Sequence, residues 1–193
     1  MTLRGKSRKQ KPVPDETALY EIAVRALARR ARSTGEMRQL LGRRKAAKED
    51  IESVIARLRE HGYLDDARFA RAFVSGRIEN EKQGVRRVER DLAARRVHPE
   101  VIRNAVHAGY EDVDERELLR DYLRRKIRLS KPPEKPSAIA SLYRRLLRAG
   151  FSSGAVVREL QGLTQRRRGE SQVDPERWQE WVESLADVPE SEE

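Results

Sequence analysis

The chain has 193 residues, of which 38% are charged and 37% hydrophobic, and its formal net charge is +10. It contains no cysteine, which excludes disulfides, zinc ribbons and thiol catalysis. No apolar stretch approaches the roughly 20 residues that span a bilayer, and no hydrophobic segment follows the basic start MTLRGKSRKQKP, so we expect a cytoplasmic protein.

The charge is unevenly distributed along the chain. Residues 1–13 carry +5 and residues 170–193 carry −8, which leaves +13 on residues 14–169. A body this basic indicates an acidic or polyanionic partner, with nucleic acid as the first candidate, although surface charge also serves solubility. The acidic end of the chain is able to shield the basic surface when the partner is absent.

The first patterned segment follows a flexible basic leader, residues 1–15, and predicts three helices in succession. An amphipathic helix is expected over residues 16–32, with Leu19, Ala23 and Leu27 on one face. After it, six positions indicate a helix, a tight turn and a second helix: Thr34, Met37, Leu41, Ala46, Ile51 and Ile55. Ser33 and Glu36 have the spacing of a capping box.

The same spacing recurs twice along the chain, after about 51 and then 54 residues. The second copy consists of Val85, Val88, Leu92, Val97, Ile102 and Val106. The third copy consists of Ile139, Leu142, Leu146, Phe151, Val156 and Leu160. Further amphipathic helices are expected ahead of these copies, over residues 66–82 and 114–129. Alternating apolar runs are absent, so the prediction is an all-α fold.

These patterns predict three tandem three-helix repeats that form an extended body able to curve, because single units of about 50 residues bury little surface alone. The predicted repeats cover residues 16–65, 66–112 and 113–164. The motif KPPEKP, residues 131–136, is a stiff linker inside the third repeat. Residues 165–193 form an acidic tail in which PERWQEWVESLAD, residues 175–187, can make a short helix, either docked or free to hook a partner.

Nothing in the sequence supports catalysis, a metal site or a cofactor. The three histidines, His61, His98 and His107, lack metal-ligand spacing, and no glycine-rich phosphate loop occurs. The acidic pairs Asp65–Asp66 and Asp112/Asp114 lie at predicted helix starts, where carboxylates cap backbone amides. We therefore predict a protein that acts by binding.

Arginine and lysine on the predicted helices are the candidate contacts to a partner, since guanidinium groups pair with phosphate or carboxylate. The candidates are Arg29, Arg30, Arg43, Arg44, Arg86, Arg87, Arg90, Arg95, Arg96, Arg124, Arg125, Lys126, Arg144, Arg145 and Arg148. Base-specific reading by a helix–turn–helix is disfavoured, because acidic or small residues begin the later helices at Glu49–Asp50 and Gly154–Ala155.

A specific motif connects the first two predicted units. Residues 62–70, GYLDDARFA, resemble the signature of the RecX family, bacterial regulators of the RecA recombinase, and residues 84–92, GVRRVERDL, fit the same pattern. The likeness covers about residues 16–164. The turns Lys45–Ala46 and Arg96–Val97 depart from the glycine and large apolar residue that the family often has, and only Gly150–Phe151 keeps that form.

The resemblance implies a monomer that binds RecA filaments on single-stranded DNA. It would limit filament extension or promote disassembly, and thereby depress recombinase, ATPase and coprotease activities. From the residues alone, two alternatives stay open: a non-specific nucleic-acid-binding helical protein that acts independently of RecA, and a scaffold that binds neither.

Overall fold

The structure of the protein is a computed structural model. It describes residues 14–127 and 135–168, together with Glu180 and Ser184. Most of the predicted leader, most of the KPPEKP linker and nearly all of the helix expected at 175–187 lie outside these residues. Within them the chain forms nine α-helices and no strand, so the predicted all-α fold is confirmed. The division into three repeats stays a prediction.

The helices follow one another with short connections. Their bounds are α1 Glu16–Arg29, α2 Thr34–Gly42, α3 Lys48–Glu60, α4 Asp66–Gly76, α5 Val85–Ala94, α6 Pro99–Tyr110, α7 Glu115–Tyr122, α8 Pro136–Arg148 and α9 Ser153–Arg168. Two helices continue as π-helical turns, α4 into Arg77–Glu81 and α7 into Leu123–Ile127. The first of these helical segments, expected over residues 66–82, extends over residues 66–81, and the end expected for the second at residue 129 lies outside the described residues. The sequence patterns did not predict the π-helical turns.

Helix starts are capped where the sequence predicts it. Ser33 and Glu36 form the complete capping box of α2, in which the Ser33 hydroxyl accepts from the Glu36 amide. The Asp114 carboxylate accepts from the Arg116 amide at α7, and the His98 ring accepts from the amide of Glu100 at α6. These contacts explain why the helices begin at these residues.

The predicted end of the first helix was wrong by three residues. Arg30 has extended backbone angles, φ −164° and ψ 153°, so α1 ends at Arg29 instead of residue 32. The physical reason is the cap of the next helix. Ser33 also has to be extended for its hydroxyl to accept from Glu36, and the three intervening residues reverse the chain.

The contacts divide the chain into two compact units. One comprises Met1–Phe69 with Arg95–Val97, and the other comprises Ala70–Ala94 with His98–Glu193. The core of the first unit contains Leu19, Ala23, Met37, Leu41, Ile51, Val54, Ile55, Leu58 and Leu64. The main core of the second unit lies among α7, α8 and α9 and contains Leu118, Leu119, Leu123, Ile139, Leu142, Tyr143, Leu146, Ala149, Phe151, Ala155, Val156, Val157 and Leu160.

The periodic apolar positions are confirmed as core positions. Of the eighteen positions in the three copies, sixteen are buried, and only Ala46 and Val85 are half-buried. Thr34, the one polar member, is 3% exposed. The spacing in the sequence therefore identified the sides of the helices that face the interior.

Within each unit, the start of one helix packs closely against a turn that lies far away in the sequence. In the first unit the Ser33 hydroxyl donates to the Arg95 carbonyl, and a Cβ on Gly35 would come within 3.0 Å of Arg96. In the second unit the Gly84 amide donates to the Ala149 carbonyl at 3.0 Å. Ser33 and Gly84 occupy equivalent positions in the predicted repeats, as do Arg95 and Ala149.

Candidate partner-binding surface

The candidate cations fall into two groups, which differ in whether the side chain already has a partner within the protein. Seven are exposed and, among the residues that the structure describes, have neither a side-chain hydrogen bond nor an ion pair. These are Arg29, Arg43, Arg44 and Arg96 in the first unit, and Arg86, Arg145 and Arg148 in the second. Their guanidinium groups are available to an external anion without breaking an internal contact.

The other candidates are held by contacts inside the protein. Arg30 and Arg95 pair with Glu36, Arg87 pairs with Asp91, Arg124 and Arg125 pair with Asp121, and Lys126 pairs with Glu81. Arg90 donates to the carbonyls of Arg86 and Arg148, and Arg144 is half-buried. The pairs of Arg87, Arg124 and Arg125 have helical i,i+3 or i,i+4 spacing, which the sequence shows. The acidic partners of Arg95 and Lys126 lie far away in the chain, so only the structure identifies those pairs.

Three turns share a backbone feature at the spacing of the predicted repeats. Lys45, Arg96 and Gly150 each have positive φ, at 60°, 60° and 98° respectively. Glycine adopts this left-handed conformation at little cost, whereas a lysine or arginine there is strained by roughly 1 kcal/mol. Two turns of the first unit therefore carry an exposed cation at a position where glycine would cause less backbone strain. Arg43 and Arg44 directly precede one of these positions, Lys45.

In the second unit, exposed arginines from α5 and α8 lie close together. The Arg86 amide donates to the Gly150 carbonyl at 3.2 Å, and the Arg90 guanidinium donates to the Arg148 carbonyl at 3.0 Å. These contacts bring the first turns of α5 against the end of α8. We name the resulting surface the α5–α8 arginine surface, formed by Arg86, Arg87, Arg90, Arg145 and Arg148.

In the first unit, the Glu36 carboxylate pairs with two arginines, Arg30 and Arg95. Its carboxylate accepts from both terminal nitrogens of Arg30 at 3.1 Å, lies 3.6 Å from Arg95 and accepts from the Ser33 amide. Burial by itself would raise the pKa of Glu36, but the hydrogen bonds from Arg30 and Ser33 and the two positive charges lower it below its ordinary value of 4.5.

Replacing Glu36 by glutamine is expected to destabilise the protein by about 1–2 kcal/mol, since it weakens the cap and removes the counter-charge of two arginines. Because the folded pKa is lowered, the carboxylate stabilises the protein fully above pH 4.5, and this contribution is lost as the pH falls through the folded value. Urea unfolding of both proteins at neutral and acid pH measures the difference, which should shrink at acid pH.

The matched control is Glu52→Gln. Glu52 pairs with Arg38 across the surface, with 44% and 45% of the two side chains exposed, so the same substitution should cost less than about 0.5 kcal/mol. Equal losses in the Glu36 and Glu52 variants would contradict the structural role of Glu36.

Three of the four acidic residues singled out in the sequence, and two of the three histidines, have structural partners. Asp65 accepts from the Arg68 amide, Asp66 accepts from the Thr34 amide at 2.7 Å, and His61 contacts the Tyr20 hydroxyl. Asp66 lies at the start of α4, and its carboxylate accepts a hydrogen bond from the first residue of the neighbouring helix α2. In the part of the chain that the structure describes, there is no group of three or more potential metal ligands, and no helix is long and apolar enough to cross a membrane.

The chain is similar to known proteins over most of its length. The family profile described as "RecX, first three-helix domain" matches residues 20–58, and "RecX, second three-helix domain" matches residues 65–106. The regulatory protein RecX of Thermobifida fusca is 31% identical over 137 residues, which cover 71% of this chain and 74% of that protein.

Two further relatives extend this likeness. The regulatory protein RecX of Oceanobacillus iheyensis is 24% identical over 75% of this chain, but the match spans only about half of that protein, 53%. The crystal structure of RecX from Lactobacillus salivarius shares the fold, with a TM-score of 0.62, 18% identity and coverage of 78% of this chain and 97% of that one. The chain belongs to the RecX family of regulatory proteins.

Proposed function

We propose that this protein regulates the RecA recombinase by binding RecA filaments on single-stranded DNA. It limits filament extension or promotes disassembly, and so inhibits recombinase, ATPase and coprotease activities. The observation that supports this proposal best is membership of the RecX family in a chain in which seven candidate arginines are exposed and, among the described residues, lack internal partners. The protein acts by binding and carries out no reaction of its own.

The arrangement of charge supports the mode of binding. An arginine without an internal ion pair gives up only water when it meets a carboxylate or phosphate, whereas Arg87 or Arg124 would first have to leave an aspartate. Binding through the unpaired cations therefore costs less free energy than binding through cations that have an internal ion pair. The +13 body also accelerates encounter with an anionic filament at low salt.

The function is tested by the DNA-dependent ATP hydrolysis of RecA on single-stranded DNA, with this protein added at well below one copy per RecA. Strong inhibition is expected, because a protein that acts on filament growth affects many RecA subunits per copy. Inhibition only at amounts sufficient to coat the DNA would contradict the proposal.

A second measurement identifies the alternative, a nucleic-acid binder that acts independently of RecA. Such a protein binds DNA strongly by itself, and its affinity falls about 10³–10⁵-fold between 50 and 200 mM salt if six to ten phosphates are contacted. Strong, salt-dependent binding to bare DNA together with inhibition only at coating amounts would favour that alternative. Binding to neither DNA nor filament would favour a scaffold.

A further inference from the structure

The second unit contains a cleft of about 270 Å³ next to the α5–α8 arginine surface. Its apolar lining consists of Val85, Tyr110, Val113 and Leu118. The backbone of Gly84 and Gly150 closes one side. This volume is just below the roughly 300–1,000 Å³ of typical small-molecule pockets, and it is large enough for one bulky apolar side chain.

The polar groups at the cleft favour a negatively charged occupant. Arg86 lines it, is exposed and has no side-chain partner among the residues that the structure describes. Glu115 also lines the cleft, but both of its oxygens are used, accepting from the Ser152 amide at 2.6 Å and from the Ser152 hydroxyl at 2.7 Å. The Tyr110 hydroxyl donates to the Gln83 carbonyl, so that tyrosine contributes its ring.

We propose that this cleft binds the chain's own C-terminal segment, residues 175–187, with an indole ring on its apolar lining and a flanking carboxylate on Arg86. The segment PERWQEWVESLAD places Trp178, Trp181 and Leu185 on one helical face among acidic residues. It matches the cleft in both respects, since it supplies bulky apolar side chains and negative charge. Residues 170–193 as a whole carry −8.

The chain is long enough to make this contact within one molecule. The cleft includes Ser152, which immediately precedes α9, and α9 ends at Arg168. A 16-residue helix is about 24 Å long. The six residues 169–174 can extend to about 20 Å, and the proposed helical residues 175–180 add about 9 Å before Trp181. The segment can therefore return along α9 to the cleft at its start.

Glu180, which the structure describes, is consistent with this orientation. It is helical and exposed. In a helix it lies away from the face that carries Trp178, Trp181 and Leu185. The apolar face is therefore the face that can pack against the cleft. Docking there would cover Arg86, so the tail and an external anionic partner would compete for one cation.

Tryptophan fluorescence of the full-length protein tests the proposal, because the chain has only two tryptophans and both lie in this segment. The emission of the wild-type protein should be shifted to the blue, and acrylamide should quench it weakly. Arg86→Glu should lower the docking equilibrium about fivefold, since an attractive charge becomes a repulsive one, and so shift emission to the red and strengthen quenching. Arg103→Glu, an exposed change on α6 outside the cleft, is the matched control and should resemble wild type.

Three results would overturn the proposal. Wild-type emission typical of indole in water would mean that the segment is not docked. Shielded tryptophans that respond equally to Arg86→Glu and Arg103→Glu, or to neither, would place the segment elsewhere. Shielding that disappears on dilution would assign the contact to a second copy of the chain. The assay contains neither RecA nor DNA, so its outcome is independent of the proposed function.

Discussion

Replacing Gly84 by alanine should destabilise the second unit by about 2–4 kcal/mol and lower its Tm by roughly 5–15 °C. A Cβ at Gly84 would lie within 3.0 Å of the backbone carbon and oxygen of Gly150 and of the Phe151 amide nitrogen. Backbone atoms cannot move aside as a flexible side chain can. The approach is held by the hydrogen bonds from Gly84 to Ala149 and from Arg86 to Gly150, so relieving the clash would break them.

Thermal unfolding followed by far-UV circular dichroism measures this effect, with Gly42→Ala as the control. Gly42 lies in α2, and a Cβ there would meet no atom within 4 Å. The same substitution should therefore leave stability unchanged or raise it by up to about 1 kcal/mol, because alanine favours the helix. If the Gly84 variant were as stable as the Gly42 variant, the close packing of α5 against the turn before α9 would be incorrect.

Replacing Arg86, Arg145 and Arg148 together by alanine should weaken binding to RecA filaments at least ~100-fold, since charge-assisted hydrogen bonds contribute about 1.5–3 kcal/mol each. These three side chains belong to the α5–α8 arginine surface and have no internal partner among the described residues. The variant should keep its helicity. Filament affinity and the concentration that inhibits RecA ATP hydrolysis are the quantities to measure.

A control with the same loss of charge uses Arg59, Arg103 and Arg158, which are exposed and lie outside the candidate set. Only a small loss of affinity is expected for it, from reduced long-range attraction. Equal weakening in both triple variants would mean that net charge alone governs binding, and unchanged affinity in the first would contradict the assignment of this surface.

The choice of these arginines depends on the structure. A sequence-based choice within GVRRVERDL would combine Arg86, Arg87 and Arg90 as one basic group. Arg90 instead donates a hydrogen bond to the Arg148 carbonyl at the end of α8, and Arg87 pairs with Asp91. Removing them would disturb the packing of α5 on α8, so a loss of binding would have two explanations.

The sequence alone determined the helices and their buried faces. Helical periodicity and local caps act over three or four residues, so Met37 and Leu41, or Ser33 and Glu36, reveal their roles without knowledge of the fold. Local signals also assigned the acidic residues Asp65 and Asp114 to helix starts. In all these cases the partner is a close neighbour in the chain.

Only the tertiary structure showed which cations have partners far away in the chain, and where backbones meet. Arg95 reaches Glu36, Arg90 reaches residue 148 and Gly84 meets Gly150, across separations of about 60 residues. No periodicity encodes such pairs, because they depend on how helices pack after they form. The cleft beside Arg86 arises in the same way, from three stretches of chain, residues 84–86, 110–118 and 150–152, that share a surface only in the folded chain.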